Sequence, residues 1–362
     1  MKKKYIRLAA FFYVCIVIYL AVITPITPHE AKIFYTDNGL ISALMHLGEY
    51  LFDGFIGLRF FFLLLGFLSV TLFYELSKRY FMKRTDAYLS TAIFMFLPGI
   101  LTASTLANVA IVVLPLVLFF VLMYERDIFW ILPFIMLALF FIHEASIIFF
   151  VAILIYAIIH KDKKLGILAA AFLMAFIYLA KGIEIGGRPS GHFLEIFGLY
   201  ATVFSPLLFL YFFYAMYRIL LREKKRLIWY ISFTALAFSL LLSIRQRVYI
   251  TDFAPYVMMA IVLMLDVYNH SVRVRLPQFK KRYQQGYYTV LLFLGLSVSL
   301  IVFHKITYAL VNNPDKHFAK RIYAPYFLAK SLKSEGKSCY DGAREKERYQ
   351  LLYYGISSCK PY

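Results

Sequence analysis

About eleven apolar runs, each near the length needed to cross a hydrocarbon core, constrain this chain more than any other feature. They fall at roughly 5–24, 55–76, 87–105, 108–124, 127–142, 145–160, 165–182, 198–220, 227–244, 250–268 and 287–308. Such a chain is an all-α polytopic membrane protein, because in lipid only helices and closed barrels satisfy every backbone group. A mean hydropathy of +0.71, with 62% hydrophobic residues, far exceeds the apolar share of a soluble domain. The first run carries a Lys2-Lys3-Lys4 head like that of a signal peptide. No small-x-small cleavage site follows, so it reads as a retained span.

The net charge of +19 would point to nucleic acid in a soluble protein, but here it reports topology. Its cations cluster between apolar runs: Lys78-Arg79 with Lys83-Arg84, Lys161 to Lys164, Arg222 to Arg226, and Arg273 to Arg282. An even number of spans separates each cluster from the next, which places all of them and the N-terminal lysines in the cytoplasm. The C-terminus is then outside. Residues 1–308 read as the transmembrane domain and 309–362 as a small outer α/β appendage, with helices over "YFLAKSLKSEG" and "REKERYQLLYYG" and a short strand at "SCYDG". Cys339 and Cys359 lie in that appendage and pair in an oxidising periplasm, two free thiols being the alternative; Cys15 sits in the first span as a packing residue.

The first outer loop, residues 25–54, is longer than a minimal connection, and "LISALMHLGEYLF" within it has the helical spacing of an interfacial amphipathic helix. Ionisable residues at membrane depth are costly and are kept facing a cavity or a partner. Those on the expected outer half are His29, Glu30, Asp37, Glu49, Asp53, Arg59, His143, Glu144, Lys181, Glu184, Arg188, His192, Glu195, Arg245, Arg247 and Asp252. His29-Glu30 is suited to general-base work, or else simply solvates an interfacial loop. Arg59, a turn into the second span, needs a carboxylate, a phosphate or a snorkelling position. Arg245 and Arg247 lie at an outer end, where topology gives no reason for cations. With Lys181 and Arg188 they form a candidate phosphate or pyrophosphate site, the alternative being local pairing with Glu184, Glu195 or Asp252.

His143-Glu144 divides two apolar half-runs, so it stands at a cavity mouth if the chain turns there and in mid-membrane if it does not. "PHEAKIF" and "IHEASII" echo each other without forming a repeat, and neither has the second His of a zincin helix. No cofactor is implied with certainty. A divalent metal held by the two His-Glu pairs and Asp37 is the one candidate.

The order "TPHEAKIFY", "GLRFFFLLLGFLSVTLFYELSKRYF", "AIFMFLPGILTASTLANVAIVVLPLVLFFVLMY" resembles the multispanning GT-C glycosyltransferases, in the branch of the protein O-mannosyltransferases and the aminoarabinose transferase of lipid A. The resemblance covers roughly residues 10–160, and "RQRVYITDFAPYVMMAIVLML" looks like the family's late Arg-Tyr-x-x-x-x-Pro-Tyr span. It implies inverting transfer of a sugar from a polyprenyl-phosphate carrier to a periplasmic glycan, lipid or protein acceptor, at the bacterial inner membrane. Glu30 matches the second acidic residue of the first-loop motif, His29 stands where the usual catalytic Asp would be, and Asn108 stands where a second Asp is common. His143 falls where relatives have a Lys-Gly facing the lipid phosphate. The expectation is that Glu30 with His29 acts as base, while Arg59, Asn108, His143, Glu144, Lys181, Arg188, Arg245 and Arg247 bind substrate or carrier phosphate. The rival readings are a polysaccharide polymerase or ligase using lipid pyrophosphate, a transporter or flippase, and a non-catalytic protein that binds lipid-linked sugar.

Overall fold

The structure, a computed structural model, describes residues 3–179, 191–311 and 317–359. Proline and glycine punctuate its helices. The chain runs through α1 (Lys3–Ile23), α2 (Pro28–Thr36), α3 (Leu40–Leu51), α4 (Gly54–Tyr80), α5 (Arg84–Met95), α6 (Pro98–Thr105) and α7 (Val109–Tyr124). It continues through α8 (Leu132–Ile142), α9 (Ser146–His160), α10 (Lys163–Tyr178), α11 (Phe193–Phe204), α12 (Pro206–Arg222) and α13 (Leu227–Arg245). The remainder is α14 (Ile250–Met258), α15 (Ile261–Val274), α16 (Pro277–Val302), α17 (His304–Leu310), α18 (Lys320–Ser334) and α19 (Glu345–Tyr353).

Four of these, α1, α4, α13 and α16, are long and apolar enough to cross a membrane. Three bent pairs bring the number to seven if each is one span: α5 with α6 at 60°, α11 with α12 at 106°, and α14 with α15 at 43°. By length alone this falls short of the expected eleven. Pro98 and Pro206 open α6 and α12, where a ring without an N–H can start a helix but not continue one. The apolar helices 109–124, 129–142 and 146–160 are each under 18 residues.

The chain divides into two compact units. One comprises 1–13, 65–103 and 109–298. Within it α9 packs on α10 and α13, α14 on α13 and α7, and α15 on α12 and α5, around fully buried Phe120, Phe149, Phe150 and Tyr256.

The other unit comprises 14–64, 104–108 and 299–362. Here α2 packs on α3 and α19, and α18 on α19. The backbones of α3 and α4 meet at two glycines: a Cβ on Gly48 would stand 2.2 Å from the Gly57 carbonyl oxygen, and one on Gly57 would stand 1.7 Å from that of Phe52. The loop helix anticipated at "LISALMHLGEYLF" is α3. The expected strand at "SCYDG" is reduced to one isolated parallel bridge between Cys339 and Ser357, next to the Cys339–Cys359 disulfide.

Candidate functional site

The second unit is built around the start of α2. Two prolines, Pro25 and Pro28, keep the residues before them extended after α1 ends. Thr27 then caps α2: its hydroxyl accepts from the Glu30 N–H at 3.2 Å, and its own N–H donates to Glu30 Oε2 at 2.9 Å. This reciprocal pair is a capping box with Pro28 at the first helical position, so "TPHE" encodes a helix start before it encodes any chemistry.

The Glu30 carboxylate does more than cap. Oε1 accepts from Arg59 Nε at 2.8 Å and from the Ala107 N–H at 2.8 Å, and Oε2 accepts from Arg59 Nη2 at 2.7 Å. Arg59 has five N–H donors and uses all of them. Besides the two to Glu30, Nη1 donates to the carbonyls of Ala21 and Thr24 at 2.9 and 2.7 Å, and Nη2 to that of Pro25 at 3.1 Å. Both residues are fully buried. Burial acts to raise the Glu30 carboxyl, but the Arg59 charge and hydrogen bonds, with the Thr27 and Ala107 amides, outweigh it and hold the group below the ordinary carboxylate range. The result is an ionised, dry clamp joining the end of α1, the start of α2, the root of α4 and the turn at 104–108.

This arrangement redirects two expectations. Arg59 was a candidate for the carrier phosphate, yet no donor is left for one. Glu30 was the candidate base, yet each of its oxygens already takes two hydrogen bonds and none of it meets solvent. His29, one position earlier, is exposed and adjoins this clamp on the helix's first turn. Desolvation lowers its pKa from 6.5; Glu30 opposes the shift, while Lys346 and Lys32 reinforce it. The imidazole is therefore neutral at neutral pH. Asn108 is nearly buried beside Ala107, its Nδ2 donating to the Leu106 carbonyl at 2.8 Å.

Sequence reasoning missed the C-terminal helix as a part of this region. Gln350, fully buried on α19, donates from Nε2 to the carbonyls of Ile26 at 2.7 Å and Arg321 at 3.2 Å. The Ile26 N–H donates to the Tyr354 hydroxyl at 3.3 Å. Phe55 lies near both Tyr353 and Tyr354, with ring centroids 6.2 and 6.4 Å away. The backbone just before the Thr27 cap is thus gripped from both its N–H and its carbonyl. The signal available was the aromatic pair ending "RYQLLYYG", which an isolated hydrophilic appendage would not need.

The other expected residues belong to the first unit. His143 follows α8 at a break in the chain, its Nε2 3.6 Å from Asp252 Oδ1, and Glu144 beside it is exposed. The chain does turn at "FFIHEAS". Arg247 pairs with Glu195, donating to Oε1 from Nε at 3.0 Å and from Nη2 at 2.7 Å, and His192 Nδ1 lies 2.9 Å from Glu195 Oε2. The local pairing alternative therefore holds for Arg247. Arg245 is the last residue of α13. Lys181, Glu184 and Arg188 lie outside the described residues. Asp37, a candidate metal ligand, accepts the Gly39 N–H at 3.0 Å and turns the chain. Among the described residues no three His, Cys, Asp or Glu side chains gather as a metal-ligating group.

The fold these elements make is similar to that of a solved GT-C glycosyltransferase. One solved structure it matches is ArnT from Cupriavidus metallidurans in the apo state, a lipid A aminoarabinose transferase, at a TM-score of 0.56 and 14% sequence identity. The superposition covers 97% of this chain and 74% of that one, and at this identity the likeness is one of fold. No protein-family model matches the sequence, and no curated protein matches it.

Proposed function

We propose that this chain is a multi-pass glycosyltransferase of the inner membrane that moves a sugar from a polyprenyl-phosphate carrier to a glycan, lipid or protein acceptor in the periplasm. The observation that carries the reading is the fold likeness, which spans nearly the whole chain. The geometry of the second unit then suggests how the roles divide. His29 accepts the proton of the acceptor hydroxyl, whose oxygen attacks the anomeric carbon with inversion as the bond to the carrier phosphate breaks. Its lowered pKa keeps the acceptor nitrogen free at neutral pH. Glu30 and Arg59 are positioning residues that fix the helix on which His29 rides.

Arg245, Arg247, Lys181 and Arg188 remain the candidates to stabilise the leaving phosphate as cations that meet developing charge, and His143 is a candidate to donate a hydrogen bond to it. Arg247 would have to exchange Glu195 for that phosphate, which an exposed pair can do.

The test is transfer of radiolabelled sugar from polyprenyl-phosphate donors by purified protein. His29→Ala should remain folded and lose about a hundredfold or more of the rate, the loss typical of removing general-base help. The acid limb of the wild-type profile should fall below pH 6.5, as the neutral imidazole is lost only when pH drops through its lowered pKa. Full activity in His29→Ala would remove His29 from the chemistry, and no turnover with any lipid donor would favour a non-catalytic protein that binds lipid-linked sugar.

A further inference from the structure

A concave site lies in the first unit, at the end of α9 opposite His143. Three apolar helices terminate together there: α7 at Tyr124, α9 at His160, and α13 at its first residue, Leu227. They enclose a cavity of about 420 Å³. Its wall carries three consecutive cations, Lys224, Lys225 and Arg226, with Glu125 as the acid among its lining residues. The cavity is of the size that small-molecule sites show.

Several features separate this pocket from a basic loop that merely marks topology. The three cations line one hollow, Lys225 partly buried and Lys224 and Arg226 exposed. Arg226 is also the N-cap of the 19-residue α13 and Leu227 its first residue, and since both line the hollow the positive end of that helix borders the same space. The cations are held in place as well: the Arg226 guanidinium lies 4.4 Å from the Tyr80 ring centroid, and the Lys225 ammonium 5.7 Å from that of Trp229. The opposite wall is aromatic and hydroxylated. Tyr156 stacks on His160 at 4.2 Å, and the Tyr124 hydroxyl, 3.4 Å from that of Tyr156, donates to Asp162 at 3.0 Å.

We propose that this pocket binds the phosphate of an anionic phospholipid headgroup. Ends of apolar helices that carry Tyr, Trp, Lys and Arg sit at headgroup level, which brings lipid phosphates to the mouth of the cavity. A basic pocket between spans at that depth suits an anionic headgroup, and three cations against Glu125 and the nearby Asp162 leave an excess of positive charge for it. A choline headgroup would place its own cation among them. The site is separate from the proposed transfer chemistry and stands whether or not that reading does.

Native mass spectrometry of the full-length protein, released from micelles containing phosphatidylglycerol or phosphatidylcholine, tests the assignment. The wild type should retain phosphatidylglycerol over phosphatidylcholine by about tenfold, and Lys224→Gln with Lys225→Gln should abolish that preference. Glu125→Gln, which removes an opposing charge, should raise phosphatidylglycerol retention, a gain that misfolding cannot produce. Inorganic phosphate should not displace the lipid. An equal preference in wild type and double variant, or no gain in Glu125→Gln, would overturn the proposal; displacement by inorganic phosphate would assign the pocket to the free anion and overturn the lipid as its occupant.

Discussion

Two arginine–glutamate pairs of the same chemistry occupy opposite environments in this protein. In the second unit Arg59 and Glu30 are wholly buried, every guanidinium N–H is used, and both carboxylate oxygens take two hydrogen bonds. In the first unit Arg247 and Glu195 meet at the same 2.7 Å, but the Arg247 side chain is 70% exposed. Distance does not distinguish them; desolvation does. Charges taken out of water must be compensated by partners, and a pair that is fully compensated becomes a joint of the structure. A pair that stays wet is screened and can be exchanged for another ligand. The buried pair is thereby suited to hold a site together and the exposed one to meet a substrate.

The largest effect should come from breaking the buried pair. Arg59→Ala leaves an uncompensated carboxylate and three carbonyls without donors, and should cost roughly 3–5 kcal/mol, read as a collapse of the folded fraction in size-exclusion chromatography after mild heating. Acidification should act on the same joint. The Glu30 pKa is held below 4.5 in the folded protein, so the unfolded chain binds more protons at low pH. The contribution of the clamp is complete at neutral pH and is lost as pH falls through the folded value. Thermal midpoints of the wild type should therefore drop below about pH 4, and more steeply than those of a variant lacking the pair.

A smaller effect is expected at the grip of α19 on the lead-in to α2. Gln350→Leu removes the donor to Ile26 and Arg321, but it also removes Oε1, a buried acceptor with no partner among the described residues. The two changes oppose each other, so the loss should be about 1 kcal/mol, measured as a lowered thermal midpoint. Smallest of all, Arg247→Ala should leave the thermal midpoint unchanged at any salt concentration while raising KM for the carrier-linked donor.

Much of this was legible in the sequence because its carriers are local. Apolar run length marks an all-helical membrane protein though not its number of spans, and the order of "TPHE", "GLRF" and "LANV" carries the resemblance to the fold that the structure is similar to. The bends at Pro98 and Pro206 were marked by their prolines, yet how far the chain turns there depends on packing that no local pattern encodes. "TPHE" itself holds a capping box readable from four residues, although its His-Glu chemistry draws attention first. What was not legible is long-range. Glu30 and Arg59 lie 29 positions apart, Glu30 and Ala107 lie 77 apart, and Ile26 and Gln350 lie 324 apart. An arginine in an apolar run states that a partner must exist without saying which one.

The central claim, that Glu30 and Arg59 act as one structural joint, is tested most directly by a double-mutant cycle on thermal unfolding with Glu30→Ala, Arg59→Ala and the two combined. The joint predicts that the double variant is hardly less stable than the worse single variant, since the second truncation removes a charge already stranded by the first. Losses that simply add would contradict it and return Glu30 to the list of candidate bases.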